Sequence, residues 1–249
     1  MGNEQRIALI TGGSRGIGRS IALALAKEGY PVALTYRENR IKAEETASQI
    51  ISDGGRVLVV EMAMEDRKSI REALQTVRSE LGRISILINN AAIAQEKPFG
   101  TITDNDWDAM LNVNLRGAFV CAQEVLPDML EQSWGRIVNI SSIGGQWGGV
   151  NQVHYAVSKA GLIGLTRSLA KIYSGKGITT NAVAPGLVAT EMSALELNTE
   201  AGKEKVKNIP VGRIGYIAEV TSAVVYLVSS DASYITGQTI NINGGMYFG

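Results

Sequence analysis

Short apolar runs alternate with amphipathic segments along the whole chain. Runs rich in β-branched and other apolar residues predict seven strands, Arg6–Thr11, Val32–Tyr36, Arg56–Val60, Ile84–Asn89, Arg136–Ser141, Thr179–Ala184 and Gln238–Ile242. Between them, apolar residues at helical spacing predict helices near 17–28, 38–52, 66–80, 104–131, 154–174 and 217–229. This alternation is typical of βαβ units, in which successive strands lie parallel in one sheet.

Several predicted strands are apolar on both faces. The segment Ile137-Val138-Asn139-Ile140 shows this pattern, which is typical of strands covered by helices above and below the sheet. No repeat, low-complexity segment or linker divides the 249 residues. We therefore predict an α/β fold over residues 1–249, a single-domain, Rossmann-type doubly wound parallel sheet of about seven strands with helices on both faces. Residues 187–208 interrupt the alternation of strand-like and helix-like segments and form a candidate lid.

Composition narrows the function classes. Lys and Arg together number 24, as do Asp and Glu, and no basic run argues for nucleic acid or an anionic membrane surface as a partner. The single cysteine, Cys121, excludes an intrachain disulfide. The apolar runs are shorter than a membrane span, and the N-terminus lacks the pattern of a secretory signal. We therefore expect a cytoplasmic protein without membrane association.

A glycine-rich loop follows the first predicted strand. Gly12, Gly16 and Gly18 stand just before and within the start of a predicted helix, in the spacing Gly-x3-Gly-x-Gly. Glycines allow a tight turn and close approach of a pyrophosphate, and the helix N-terminus supplies N–H donors. A glycine cluster alone also fits a plain strand-to-helix turn. Its position in an alternating α/β chain favours a dinucleotide site.

The second predicted strand indicates which dinucleotide binds. It ends in Tyr36-Arg37, whereas an NAD site usually has an acid there to hold the ribose 2′-hydroxyl. Arg37 and Arg15 are suited to a 2′-phosphate, because guanidinium groups match phosphate geometry. The alternative is two solvated arginines, with Glu38 close to Arg37 in the chain. We favour NADP(H) over NAD(H).

Three residues form a candidate catalytic group. Tyr155 and Lys159 are four residues apart at the start of a predicted helix, which stacks their side chains on one face. A phenol with a pKa of about 10 exchanges protons poorly at neutral pH, and a neighbouring ammonium lowers that pKa. Ser142 follows a predicted strand at the edge where ligands bind, and its hydroxyl is suited to polarise a carbonyl. Alone, each of these features is commonly structural.

Together these motifs resemble the short-chain dehydrogenases/reductases over essentially the whole chain. The matching motifs are Gly12-x3-Gly16-x-Gly18, Asn89-Asn90-Ala91, Asn114, Ser142, Tyr155-x3-Lys159 and Pro185-Gly186. The C-terminal segment from Ile235 to Tyr247 is similar to that of bacterial 3-oxoacyl-acyl-carrier-protein reductases. The segment from Trp134 to Ser142 is also similar to acetoacetyl-CoA reductases.

The resemblance implies a role for each catalytic residue. Tyr155 would donate a proton to the substrate oxygen, and Ser142 would orient and polarise the carbonyl. Lys159 would bind the nicotinamide ribose and lower the pKa of Tyr155. Asn114 would kink its helix and hold a water that relays protons to Lys159.

The resemblance also implies the cofactor contacts. They are Gly12, Ser14, Arg15, Gly16, Ile17, Gly18, Tyr36, Arg37, Ala63, Met64, Asn90, Ala91, Ala92, Tyr155, Lys159, Pro185, Gly186, Val188 and Thr190. The chain departs from the family pattern at two of these positions. Ala63 replaces an aspartate that caps adenine, which should weaken or rearrange adenine recognition. Ala92 replaces a glycine, and its methyl should narrow the cofactor groove slightly without loss of activity.

Two regions should shape the substrate site. One is the loop 143–153, with Gln146, Trp147, Val150 and Gln152 beside Ser142 and Tyr155. The other is the lid 187–208, whose Met192 and Leu195 offer apolar surface to an acyl chain. Trp147 has the alternative of packing against a neighbouring subunit. His154, the only histidine, has no partners for a triad or a metal, so we interpret it as a helix-start residue and predict no metal site.

These features predict an NADPH-dependent reductase of 3-oxoacyl thioesters, carried on acyl-carrier protein or coenzyme A. One alternative is an NAD(P)-dependent reductase or dehydrogenase of a free ketone, sugar or cyclic alcohol. Another is a catalytically idle dinucleotide-binding sensor or scaffold. An acidic carrier protein requires a basic docking patch, for which Lys171 and Lys176 are candidates, whereas Glu131 stands where relatives are often basic. The resemblance also implies a homotetramer and a place in fatty acid biosynthesis.

Overall fold

The computed structural model describes residues 5–190 and 200–249, in which seven strands form one parallel sheet. The strands are β1 Ile7–Ile10, β2 Val32–Tyr36, β3 Val57–Glu61, β4 Ile84–Asn89, β5 Gly135–Ile140, β6 Ile178–Pro185 and β7 Thr239–Ile242. They lie in the order β3-β2-β1-β4-β5-β6-β7. The predicted doubly wound parallel sheet is confirmed, with β3 one residue later and β5 one residue earlier than predicted.

Helices cover both faces of this sheet. They are α1 Gly16–Lys27, α2 Arg40–Ser52, α3 Arg67–Glu80, α4 Asp104–Leu111, α5 Gly117–Glu131, α6 Gly144–Trp147, α7 Val153–Tyr173, α8 Glu200–Lys207 and α9 Ile217–Val228. Short 3₁₀ turns occupy Phe99–Thr101 and Ser174–Lys176. Among the described helices, none has the length and apolar character needed to cross a membrane.

Two apolar layers explain why the strands carry apolar residues on both faces. Ala8 and Ile10 of β1 pack into one layer, which includes the buried faces of α1, α2 and α9. The intervening residues Ile7 and Leu9 pack into the other layer, with α3 and α5. Because successive strand residues point to opposite faces, each strand needs apolar side chains at both its odd and its even positions.

The helix predicted over 104–131 is divided in the structure. A π-helical segment, Asn112–Arg116, separates α4 from α5. The helices α6 and α8 were not predicted, and α8 lies within the segment 187–208 that we expected to form a lid. Residues 191–199 of that segment lie outside the described residues, as do Met192 and Leu195 within it.

The strand order places the candidate site. It reverses between β1 and β4, so the connections after these two strands leave in opposite directions. In open α/β sheets, ligands bind in the crevice that opens at the carboxyl ends of strands at such a switch point. The glycine-rich loop follows β1, Asn90 follows β4, and Ser142 follows β5, so the chain places these predicted site residues at one edge of the sheet.

We predict that Gly177→Ala destabilises the fold by about 2–4 kcal/mol. Gly177 enters β6 with φ +81°, and an added Cβ would collide with the carbonyl oxygen of Ser133. Gly175→Ala is the matched control, since an added Cβ there meets nothing within 4 Å. Urea unfolding should separate the two variants, and equal midpoints would contradict the prediction.

Candidate active site

The glycine-rich loop lets α1 pack directly against the ends of β1 and β4. Gly12 and Gly16 have φ values of +66° and +55°, a left-handed conformation that side chains disfavour. At Gly18, a Cβ would collide with the carbonyl oxygen of Gly12 and with the Nδ2 atom of Asn90. At Gly13, which we had not singled out, a Cβ would lie 2.6 Å from the Cβ of Leu34. The loop therefore requires glycine for both conformation and packing.

The start of α1 fits the pyrophosphate of a dinucleotide. Its N-cap residue, Arg15, makes no side-chain capping bond, and the first turn carries no acid. An added Cβ at Gly16 would meet nothing within 4 Å, so this side of the loop is open. N–H groups at a helix N-terminus, aided by the helix dipole, bind phosphate oxygens. Ser14, Ile17 and the three predicted glycines all lie in this loop or first turn.

Thr11 joins the ends of β1 and β4, a role that we had not predicted. Its Oγ1 accepts hydrogen bonds from the backbone N–H groups of Asn90 at 2.9 Å and Ala91 at 3.0 Å. In return, Asn90 Nδ2 donates to the carbonyl oxygens of Thr11 at 2.9 Å and Gly12 at 3.0 Å. The predicted cofactor residues Asn90, Ala91 and Ala92 therefore follow directly from a strand end that is bonded to the glycine loop.

Arg37 is paired at the end of the site where we expected a 2′-phosphate. Its NH2 atom lies 2.7 Å from Oε1 of Glu65, while Arg15 is exposed. Tyr36 is buried, with its hydroxyl 3.5 Å from a carboxylate oxygen of Glu61. The Arg37–Glu65 contact was not predicted, because 28 residues separate the two positions along the chain.

The turn after β3 carries the two predicted adenine contacts. The N–H of Ala63 donates to Ser69 Oγ at 2.9 Å, which ties the turn to α3. Met64 is buried against α5, where an added Cβ at Gly117 would lie 2.6 Å from the Met64 carbonyl oxygen. Ala63 has no polar side-chain group for adenine, and its contact with the cofactor stays a prediction.

The last four predicted cofactor contacts, Pro185, Gly186, Val188 and Thr190, lie at the end of β6 and just after it. Pro185 ends that strand, and its carbonyl accepts a hydrogen bond from the N–H of Ile143 at 2.9 Å. Gly186 lies against β7, where an added Cβ would be 2.9 Å from Asn243. Val188 is buried and bridges to Gly215, while Thr190 is partly exposed. The Pro185–Ile143 bond joins this segment to the loop that carries Ser142.

Lys159 is buried and bound to the end of β5. Its Nζ donates to the carbonyl oxygen of Ile140 at 2.8 Å, and the Ser141 hydroxyl donates to the Lys159 carbonyl at 2.8 Å. The ammonium lies 5.6 Å from the centroid of the Tyr155 ring, within cation–π range. Ser142 Oγ accepts a hydrogen bond from the N–H of Gly144 at 3.1 Å. The structure thus brings together the three residues that the sequence suggested.

Burial changes the proton affinities of this group. It lowers the pKa of Lys159 to about 8, because the charged ammonium is removed from water. It raises the pKa of Tyr155, and the side-chain interaction with Ser142 opposes that shift. A lowering of the Tyr155 pKa by Lys159 in the presence of the nicotinamide stays a prediction. The Tyr155 phenol is desolvated, and the ammonium is engaged with the Ile140 carbonyl.

Asn114 lies in the π-helical segment, where the family resemblance implied a kink. Its Oδ1 accepts from the N–H of Ile93 at 2.9 Å, and its Nδ2 donates to the Ile93 carbonyl at 2.9 Å. Nδ2 also lies 3.1 Å from Ser158 Oγ, next to Lys159 in α7. Asn114 therefore couples the chain after β4 to the helix that carries Tyr155. Its part in a proton relay stays a prediction.

The predicted substrate residues differ in exposure. Gln146 is partly buried in α6, and among the described residues its Oε1 atom is buried without a hydrogen-bond partner. Trp147 is 51% exposed and Val150 is 92% exposed. Gln152 donates to Glu96 at 3.0 Å. Of these four, only Gln146 presents an unpaired buried polar atom close in the chain to Ser142.

His154 lies in the first turn of α7, next to Tyr155. It is fully buried, and its Nε2 atom lies 2.8 Å from Oε1 of Gln95. Gln95 in turn donates to Asp106, whose carboxylate also pairs with Lys97. This network holds the segment after β4 against the start of α7. Within residues 5–190 and 200–249, no three His, Cys, Asp or Glu side chains are grouped to hold a metal ion.

The fold and this geometry define a class of protein: a Rossmann-type oxidoreductase with a dinucleotide loop and a tyrosine–lysine–serine centre at one edge of its sheet. A family model described as enoyl-(acyl carrier protein) reductase matches residues 12–247. The chain belongs to the short-chain dehydrogenase/reductase family.

Individual relatives cover almost the whole chain. The 3-oxoacyl-acyl-carrier-protein reductase FabG of Staphylococcus aureus is 41% identical over 240 residues, which are 96% of this chain and 97% of the relative. The acetoacetyl-CoA reductase of Shinella zoogloeoides is 40% identical over 243 residues, 98% of this chain and 99% of the relative. A crystal structure from Beutenbergia cavernae, described as an NAD(P) dependent gluconate 5-dehydrogenase with bound NADP at low occupancy, superposes with a TM-score of 0.91. It is 34% identical and covers 96% of each chain.

We predict that Lys159→Met removes a pH-dependent contribution to stability. The pKa of Lys159 lies at about 8 in the folded chain and at 10.5 ordinarily. The unfolded chain therefore binds more protons between these values, so the lysine makes wild-type stability rise with pH across that window. The free energy of unfolding of the variant minus that of wild type should therefore decrease by about 1–3 kcal/mol as the pH rises from about 7.5 to about 10.

Urea unfolding of the cofactor-free proteins at several pH values measures this difference. Lys171→Met is the control, because Lys171 is an exposed lysine of the same helix and should follow the wild-type profile. Parallel profiles for wild type and Lys159→Met would show that the amine carries no desolvation penalty in the fold.

Proposed function

We propose that the protein reduces 3-oxoacyl thioesters to 3-hydroxyacyl thioesters with NADPH. The observation that carries this proposal is the position of Lys159, bound to the carbonyl of Ile140 and 5.6 Å from the ring of Tyr155, whose hydroxyl interacts with Ser142. That centre follows β5 at the sheet edge where the glycine-rich loop follows β1. The thioester substrate is supported by relatives named as 3-oxoacyl-acyl-carrier-protein and acetoacetyl-CoA reductases, which are 40–41% identical to this chain.

The side chains supply the proton chemistry of a carbonyl reduction. Bound NADPH would supply hydride to the carbonyl carbon. Burial keeps the pKa of Tyr155 high, so at neutral pH the phenol holds the proton that it donates to the substrate oxygen. Ser142 orients that oxygen and stabilises its developing negative charge. Lys159, whose pKa of about 8 lies near neutrality, holds the nicotinamide ribose and stabilises the resulting phenolate.

Several features support NADPH as the reductant. Arg37 follows β2 and Arg15 precedes α1, so both stand where the ribose 2′-phosphate would lie. No acid ends β2, where an NAD site usually has one. The gluconate 5-dehydrogenase structure, which is 34% identical, contains NADP. Backbone atoms at Ala63 and Met64 would bind adenine.

The geometry supports coenzyme A at least as well as a carrier protein. Lys171 and Lys176 are exposed, but Lys171 lies about 18 Å along α7 from Lys159, toward the opposite edge of the sheet. Glu131, at the other expected docking position, pairs with Arg83 at 2.6 Å. Within one chain, the basic patch and the catalytic centre are therefore well separated.

A second candidate is an NAD(P)-dependent reductase or dehydrogenase of a free ketone, sugar or cyclic alcohol. The buried, unpaired Oε1 of Gln146 favours it, because such an acceptor suits a substrate that carries a hydroxyl donor. The 34% identical gluconate dehydrogenase structure is a further support. A catalytically idle sensor is a weaker candidate, since Asn114, Ser142 and the tyrosine–lysine pair are all present.

We also propose that residues 1–249 form a single domain and that four copies of the chain assemble as a homotetramer. A groove of about 480 Å³ lies between the π-helical segment, α5 and α7. It is lined by Asp108, Leu111, Asn112, Leu115, Arg116, Phe119 and Leu165. Phe119 is 42% exposed in the single chain, and association through this face would cover it.

We predict that Tyr155→Phe lowers kcat by about 10²–10⁴-fold, because it removes the proton donor while keeping the ring. The Kd for NADPH should change by less than about twofold. Steady-state kinetics and NADPH fluorescence titration measure the two effects. Tyr173→Phe, at the far end of the same helix, should retain activity. Near-normal turnover by Tyr155→Phe would exclude the proposed proton donor.

We predict that thioesters are the preferred substrates. The kcat/KM for acetoacetyl-CoA or an acetoacetyl carrier protein should exceed that for a free 3-oxo ester or a keto sugar by about tenfold or more. NADPH oxidation on purified enzyme, followed over this panel, measures the preference. Activity confined to free ketones or keto sugars would reject the thioester proposal and favour the second candidate.

A further inference from the structure

A carboxylate pairs with the arginine that a 2′-phosphate would need. Arg37 follows β2, and its NH2 atom lies 2.7 Å from Oε1 of Glu65, in the turn between β3 and α3. Glu38 also lies near Arg37, at 4.0 Å from its Nε atom, but its side chain is 88% exposed. Solvent screens such an exposed charge, so Glu65 is the stronger of these two partners.

The backbone at Glu65 is held in place by its neighbours. Arg116 donates to the carbonyl oxygen of Glu65 at 3.0 Å. On the other side, the N–H of Asp66 donates to the carbonyl of Ala63 at 3.2 Å, and the Asp66 side chain caps α3. Arg37, by contrast, has a long side chain that is 54% exposed. When the pair opens, Arg37 is therefore the side chain that has room to move.

The Glu65 carboxylate is only partly satisfied. Its Oε1 pairs with Arg37, whereas its Oε2 is buried and, among the described residues, accepts no hydrogen bond. A desolvated carboxylate oxygen binds a nearby cation more strongly than an exposed one does. It also repels a phosphate that approaches the same guanidinium.

We propose that Glu65 is a specificity-determining residue that competes with the cofactor 2′-phosphate for Arg37. This inference rests on the proposed use of NADPH. Binding of NADPH exchanges the carboxylate for the phosphate at one guanidinium, whereas NADH has no 2′-phosphate and leaves the Arg37–Glu65 pair intact. Glu65 thereby lowers the preference of the enzyme for NADPH over NADH, because it weakens the binding of only the cofactor that carries the 2′-phosphate.

The test compares Glu65→Gln with Glu38→Gln, which removes the exposed acid beside the same arginine. The Kd values of NADPH and NADH are measured by fluorescence titration. Those of 2′,5′-ADP and 5′-ADP are measured by calorimetry, so that the phosphate is probed without the nicotinamide. We expect Glu65→Gln to bind NADPH and 2′,5′-ADP about three- to tenfold more tightly, with NADH and 5′-ADP within about twofold of wild type. Glu38→Gln should stay within about twofold for all four probes.

A double-mutant cycle identifies Arg37 as the contested group. In an Arg37→Gln background, Glu65→Gln should no longer tighten 2′,5′-ADP binding. Unchanged or weaker NADPH binding by folded Glu65→Gln would overturn the proposal, and so would equal tightening of NADPH and NADH. The wild-type ratio of the two Kd values tests the proposed cofactor separately. A wild type that prefers NADH would reject NADPH as the cofactor, while a shift of Glu65→Gln toward NADPH would still support competition at Arg37.

Discussion

A buried ammonium bound to a strand end organises the centre of this molecule. The Lys159 side chain is buried away from solvent, and its Nζ donates to the carbonyl oxygen of Ile140, the last residue of β5. The Ser141 hydroxyl donates back to the Lys159 carbonyl, so two hydrogen bonds join α7 to the strand. Because Tyr155 is one helical turn before Lys159, these bonds also place its phenol beside Ser142. The same contacts pair a buried ammonium with a carbonyl and bring Tyr155, Lys159 and Ser142 together.

The cofactor side of the crevice depends on close backbone packing. Gly18 allows α1 to approach the carbonyl of Gly12, and Thr11 bonds to the N–H groups after β4. These contacts hold the glycine loop against the switch point of the sheet while leaving the start of α1 open to an anion. An ion pair lies on the same side of the sheet, where Arg37 after β2 contacts the carboxylate of Glu65 after β3. This part of the molecule thus combines rigid backbone packing with an ion pair between two turns.

Most of the fold could be predicted from the chain, and the reasons are local. All seven strands were predicted because strands buried on both faces are continuous apolar runs. The apolar pattern did not show the break at Asn112–Arg116, since one inserted π turn barely shifts an apolar stripe. Only the family resemblance implied a kink at Asn114. The helix α6 has four residues, which is too short to show a period.

In the candidate site, too, some features could be predicted from the sequence and others depended on tertiary packing. The order of Gly12, Ser142, Tyr155 and Lys159 in an alternating α/β chain determined which residues meet, because parallel strands bring their carboxyl ends to one edge. The sequence alone also determined the family, since these motifs are local and their spacing follows from helix and strand geometry. Tertiary packing decided the proton affinities, because burial depends on what surrounds each group: burial raises the pKa of Tyr155 and lowers that of Lys159. It likewise paired Arg37 with Glu65, a contact between two turns that no local pattern encodes.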